Sequence, residues 1–164
     1  MITIFLDIDG VLNIMSPSYN TAMITPTGCT KWMEEHLIQR LHWLIEKTDA
    51  DIVISSSWRL DMKDLQVQLE ANGFKYWNKV VGETPYISGP RGQEIQMYLD
   101  EHPEIGDCFV VLEDEVADVC GEKCSIIHKL NVVEVDMKKG LTHDNVNLAK
   151  NILQAAEIRK ELHE

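Results

Sequence analysis

Two carboxylates two residues apart, followed by glycine, stand near the start of the chain as Asp7-Ile8-Asp9-Gly10. They follow an apolar-leaning run over residues 3–6. At the end of a strand, residues i and i+2 point the same way, so both acids can face one spot. Like charges crowded in a crevice repel, and a bound cation would offset that repulsion. Magnesium suits such a pair, because it is a hard ion that takes oxygen ligands and keeps waters and substrate phosphate in its shell. A carboxylate can also act as a covalent nucleophile and form an aspartyl-phosphate. A second carboxylate can protonate the leaving oxygen and then activate water. Gly10 permits a sharp turn and lets backbone N–H groups approach a phosphate. Taken alone, the same four residues suit a solvated turn equally well.

The elements that would position these acids form a regular pattern. Apolar runs at 3–6, 51–55, 108–112 and 132–135 read as strands, and unbroken runs of this kind suit strands buried on both faces. Leu37, Leu41, Leu44 and Ile45 recur at helical spacing and predict a helix over 31–47. Further helices are predicted over 62–72, closed by Gly73, over 93–101, and from an N-cap at Thr142 toward the C-terminus. Residues 79–81 read as a short edge strand, and 13–29, with Pro17, Pro26 and Gly28, as a loop. Strands alternating with helices predict an α/β fold, a three-layer doubly wound parallel sheet flanked by helices, in a single domain over 1–164. Three of the strands end in reactive residues: Asp7, Ser55 with Ser56, and Glu113 with Asp114. Ligands of such sheets bind just outside the carboxyl ends of the strands, so these groups can converge.

Phe5-Leu6-Asp7-Ile8-Asp9-Gly10-Val11-Leu12 resembles the first motif of the haloacid-dehalogenase superfamily, and the likeness extends along most of the chain. The resemblance implies Asp7 as nucleophile, Asp9 as general acid/base and the Asp9 backbone carbonyl as a metal ligand. It implies a phosphoryl-binding hydroxyl at Ser55 or Ser56 in Ile54-Ser55-Ser56-Ser57-Trp58-Arg59, with Ser56 favoured because it lies two before the tryptophan. It implies a basic residue near a helix start, for which Arg91 is the first candidate and Lys79 the second. Arginine departs from the lysine usual in that superfamily, but it holds phosphate oxygens bidentately. Glu113 and Asp114 match the acidic pair of the fourth motif. Asp114 is then the expected metal ligand, and Glu113 either reaches the metal through water or orients Arg91. Asp118 reads alternatively as an acid at a helix start.

The same resemblance implies a Rossmannoid domain with a minimal cap or none, because 13–29 is too short for a folded insertion and 58–90 holds one helix and little more. An open site admits phosphate on a large carrier. Ser56-Ser57-Trp58-Arg59 and Gly140-Leu141-Thr142 are similar to a small capless branch related to RNA- and nucleic-acid-repair phosphatases. Trp58 and Arg59 are candidate substrate contacts: Trp58 can stack on a base or pack below the second strand, and Arg59 can meet a second phosphate or pair with an acid. His143 reads as a surface residue at a helix start. The implied activity is a magnesium-dependent phosphomonoester hydrolase acting on a nucleotide or a nucleic-acid terminal phosphate. A small-metabolite phosphatase and a non-catalytic phosphate-binding module are the alternatives.

Composition bounds these readings. A formal net charge of −12 lacks the lysine and arginine reservoir of a duplex binder. Hydrophobic residues at 45% and charged residues at 26% are ordinary for a soluble globular chain. No stretch approaches the roughly 18 apolar residues of a membrane span, and the N-terminus lacks a basic leader, so a cytoplasmic location is expected. Cys29, Cys108, Cys120 and Cys124 lack the spacing of a zinc site and read as free thiols.

Overall fold

The computed structural model describes residues 1–14 and 33–162. Among the described residues, five strands form one all-parallel sheet in the order β3-β2-β1-β4-β5. These are β1 (Thr3–Leu6), β2 (Asp51–Ile54), β3 (Val80–Glu83), β4 (Phe109–Glu113) and β5 (Val132–Glu134). The α-helices are α1 (Glu35–Thr48), α2 (Met62–Ala71), α3 (Arg91–Glu101) and α4 (His143–Glu161). The α/β class is as the alternation of runs predicts.

The side-chain alternation of the strands builds three layers. Ile4 and Leu6 of β1, with Ile52, Ile54, Val110 and Leu112 beside them, pack against Leu37, Leu41 and Leu44 of α1, Leu65 and Leu69 of α2, and Leu153 of α4. Phe5, Val53 and Val111 point to the other face and meet Ile95 and Tyr98 of α3. There Phe5 packs edge-on against both Tyr98 and Phe109, with ring centroids 5.7 Å apart in each pair. Central β1 is buried along its whole length, which explains its lack of polar alternation.

Register aligns the carboxyl ends of the strands. Leu6 pairs with Ile54 on one side and Leu112 on the other, and Ile54 pairs with Glu83. Asp7, Ser55 and Thr84 therefore leave three neighbouring strands at one level. The reversal of strand order lies between β1 and β4, where open α/β sheets leave a crevice.

Several boundaries differ from the sequence expectation. Helix α3 begins at Arg91, two residues before the predicted start, because the Asp118 carboxylate accepts the Arg91 backbone N–H at 3.1 Å. Strand β3 runs on to Glu83 because its backbone pairs with β2 beyond the predicted 79–81. Ser55 leaves the strand, although its N–H still donates to Leu6 O at 3.0 Å. Thr142 caps α4 as expected, in a reciprocal capping box with Asn145. Most of the loop expected over 13–29, and the start of the helix at 31, lie outside the described residues. No cap domain stands among the described residues: 58–90 holds a 3-10 turn (Ser57–Asp61), α2, a short 3-10 turn (Trp77–Lys79) and β3. No helix of the described residues is long and apolar enough to cross a membrane.

Candidate active site

Asp7 follows β1 directly and is buried. Arg91, the first residue of α3, donates from Nη1 to Asp7 Oδ1 at 3.0 Å. The same nitrogen donates to the Ser55 carbonyl, and Nε lies 3.3 Å from Glu113 Oε2. One guanidinium thus ties together the ends of β1, β2 and β4. Burial works against the charge of Arg91, but Glu113 and Asp7 hold its pKa above the ordinary value.

The serines divide cleanly. The Ser56 side chain lies beside Asp7 and opposes the rise of its pKa, and its oxygen accepts the Trp58 N–H at 3.4 Å. The Ser55 hydroxyl is buried and meets no partner among the described residues. Ser55 contributes its carbonyl instead, which receives Arg91 and Arg59.

Asp7, Glu113 and Asp114 each offer a carboxylate oxygen, all within 4.8 Å of one another. Glu113 Oε1 is already an acceptor for the N–H groups of Asp114 and Glu115, both at 3.1 Å. Glu113 Oε2 is buried and accepts no hydrogen bond among the described residues. Burial, then the charge of Asp7, pushes the Glu113 pKa up to about 9 against the pull of Arg91. Burial also raises Asp7, with Asp114 adding to the rise and Arg91 and Ser56 opposing it. Three crowded acids therefore face one guanidinium. The crowding of three carboxyl groups and the oxygen-only donor set fit a hard divalent cation. Gly10 makes room for this cluster. Its φ is +77°, and a Cβ there would fall 2.5 Å from Asp114 Oδ2.

Asp9 stands outside the cluster. Its Oδ1 accepts from Asn13 Nδ2 at 2.8 Å and its Oδ2 from the Trp58 indole N–H at 3.0 Å. Asn13 Oδ1 in turn accepts the Gly10 N–H at 2.8 Å. The loop after β1 is braced from behind by Leu141, whose N–H donates to Val11 O at 2.8 Å. Gly140 is required at that brace: its φ is +65°, and a Cβ would meet Leu37 at 2.4 Å.

The two residues read as candidate substrate contacts turn inward. Trp58 is half-buried, packs against the larger core and donates to Asp9. Arg59 is 7% exposed and pairs with Glu94 at 2.5 Å, so pairing with an acid is the arrangement found. Lys79 is excluded as the second basic candidate. It sits at the amino ends of the strands, 2.7 Å from Asp49 and 3.6 Å from Asp51, across the sheet from Asp7. Asp118 is an acid at a helix start, but it serves α3 through space rather than its own turn. His143 is exposed at the first turn of α4. Cys108, Cys120 and Cys124 are free thiols, and Cys29 lies outside the described residues.

Sequence reading missed Asn13 and Glu94. An asparagine four residues after an acid gives no signal until the loop closes. Glu94 looks like an ordinary surface charge on a helix, and only the packing of α3 against the turn after β2 buries it. Comparison with curated proteins gave no match, and comparison with solved structures gave none. A family model described as the HAD domain in Swiss Army Knife RNA repair proteins matches residues 3–146, and the chain belongs to that family.

Proposed function

We propose that the protein is a magnesium-dependent phosphomonoester hydrolase that works through an aspartyl-phosphate on Asp7, with a nucleotide or a nucleic-acid terminal phosphate as substrate. Membership of the HAD domain family supports phosphatase-type hydrolysis. The observation that carries the reading is the Asp7 carboxylate, buried at the end of the central strand, held by Arg91 and standing beside Glu113 and Asp114. A carboxylate so held is preorganised for attack in one direction.

In this reading an Asp7 oxygen bonds to phosphorus while the ester P–O bond breaks. Asp9, in its protonated form, gives its proton to the departing oxygen. Asp9 then takes a proton from water as that water attacks phosphorus, which releases phosphate and restores Asp7. Arg91 and Ser56 hold the phosphoryl oxygens, together with backbone N–H groups of the turn at Gly10. Trp58 and Asn13 keep the Asp9 carboxylate pointed by holding one oxygen each. Asp7, Glu113 and Asp114 would hold Mg²⁺, with the Asp9 carbonyl as a further ligand. When bound, the ion would offset the crowded carboxylates and the charge gathering on the phosphoryl group.

Purified protein should hydrolyse an aryl phosphate with Mg²⁺ and not with chelator. Asp7→Asn should abolish turnover while circular dichroism stays unchanged, because an amide cannot accept the phosphoryl group. Full turnover in that variant would overturn the mechanism. A panel of 3′- and 5′-phosphorylated oligonucleotides, mononucleotides and sugar phosphates separates the substrate classes. Binding without turnover across the panel would point to a phosphate-binding module instead.

A further inference from the structure

Beside the phosphate end of the sheet, a second cleft opens along the free edge of β3. It encloses about 430 Å³ and is lined by Arg59, Glu83, Thr84, Tyr86, Tyr98 and Glu101, among others. That volume lies within the range of small-ligand sites.

The aromatic part of the cleft is held ready. Tyr86 is 60% exposed, yet its ring lies over the Arg59 guanidinium at 5.5 Å. The next residue is tied down as well, with the Ile87 N–H donating to Glu94 Oε1 at 3.1 Å. Glu94 and Arg59 thus fix the Tyr86 loop from beneath, leaving an open ring face. Such a face stacks on any flat aromatic group.

Position then decides what the ring is for. Thr84 donates its N–H to Ile54 O at 3.0 Å, as Ser55 does to Leu6 O. Asp7, Ser55 and Thr84 therefore stand side by side, and two strand spacings, about 10 Å, separate the first from the third. A sugar and its base span that gap. Arg59 links the two places, since its Nη1 donates to the carbonyls of Ser55 and Ser56. The exposed carboxylates of Glu83 and Glu101 repel a second phosphate but accept amino and imino N–H groups. We infer that this cleft receives the nucleobase of the substrate, stacked on Tyr86 with its polar edge toward Glu83 and Glu101, while the phosphate of the same nucleotide sits at Asp7. The inference rests on the hydrolase reading only for the place of the phosphate.

The test compares nucleoside 3′- and 5′-monophosphates with ribose 5-phosphate, in Mg²⁺. Affinity is read by calorimetry on Asp7→Asn protein, and turnover on the parent. At least one nucleotide series should bind about tenfold more tightly than ribose phosphate, in line with one stacked base. Tyr86→Ala should collapse that preference to near one, and Tyr86→Phe should keep it. No preference in the parent, or a preference that survives Tyr86→Ala, would overturn the inference. The two readings fail separately. Equal hydrolysis of ribose phosphate and nucleotides sinks the cleft and keeps the hydrolase, whereas Tyr86-dependent nucleotide binding without turnover keeps the cleft and sinks the hydrolase.

Discussion

Each carboxylate in the site is set by its donors. Asp7 meets the Arg91 guanidinium, which aims one of its oxygens and opposes the rise that burial gives its pKa. Asp9 meets two neutral donors, an indole and an amide, which orient it without a formal cation beside it. That difference suits a nucleophile in the first case and a proton carrier in the second. Trp58→Phe removes one of the two donors while keeping most of the packing. It should lower kcat for an alkyl phosphate about tenfold, the effect of losing one hydrogen bond that orients the proton donor. It should matter far less for a nitrophenyl phosphate, whose leaving group departs without a proton. Parallel kinetics on the two esters check this, and equal losses on both would assign Trp58 a purely structural part.

At the scale of elements, the site depends on how α3 and the turn after β2 are locked together. The lock is the Arg59–Glu94 pair, whose side chains are 4% and 5% exposed. Arg59 adds hydrogen bonds to the carbonyls of Ser55 and Ser56, and Glu94 adds one from Ile87. Breaking a buried pair strands the remaining charge. Glu94→Gln should therefore reduce the unfolding free energy by about 3 kcal/mol, measured by urea denaturation. The double replacement Arg59→Met with Glu94→Leu should recover most of that loss, since Arg91 and the Arg59 backbone N–H still serve the two serine carbonyls. The phosphate end and the base cleft share this lock, so Glu94→Gln should also weaken substrate binding.

For the whole molecule, the two apolar layers enclose one polar group whose protonation reports on folding. His42 of α1 lies among Phe74 and Tyr76, with ring centroids 5.5 and 5.0 Å away. Its Nε2 accepts the Lys75 N–H at 3.2 Å, which requires the neutral ring. Burial, then the charge of Lys75, lowers its pKa below the ordinary 6.5, with Glu46 opposing. The folded state thus binds this proton less readily than the unfolded state. Its contribution to stability is complete above pH 6.5 and is lost as pH falls through 6.5 toward the lowered folded value. Urea midpoints from pH 7.5 down to 5 should fall more steeply for the parent than for His42→Gln. Identical slopes would remove His42 from the account.

The sequence by itself determined the α/β class, the order of strands and helices, and the acids at strand ends, because these follow from local rules: apolar runs, helical spacing and capping residues. Asp7, Ser56, Glu113 and Asp114 were legible because each stands where a predicted strand ends, and Arg91 through the family resemblance. Tertiary structure alone showed that the Ser55 hydroxyl is sealed in the core without a partner among the described residues. It alone turned Trp58 toward Asp9 and Arg59 toward Glu94, contacts spanning 49 and 35 residues. It alone set Tyr86 beside Thr84 at the sheet edge. Those pairings depend on which helix packs across which strand end, and no local pattern encodes that.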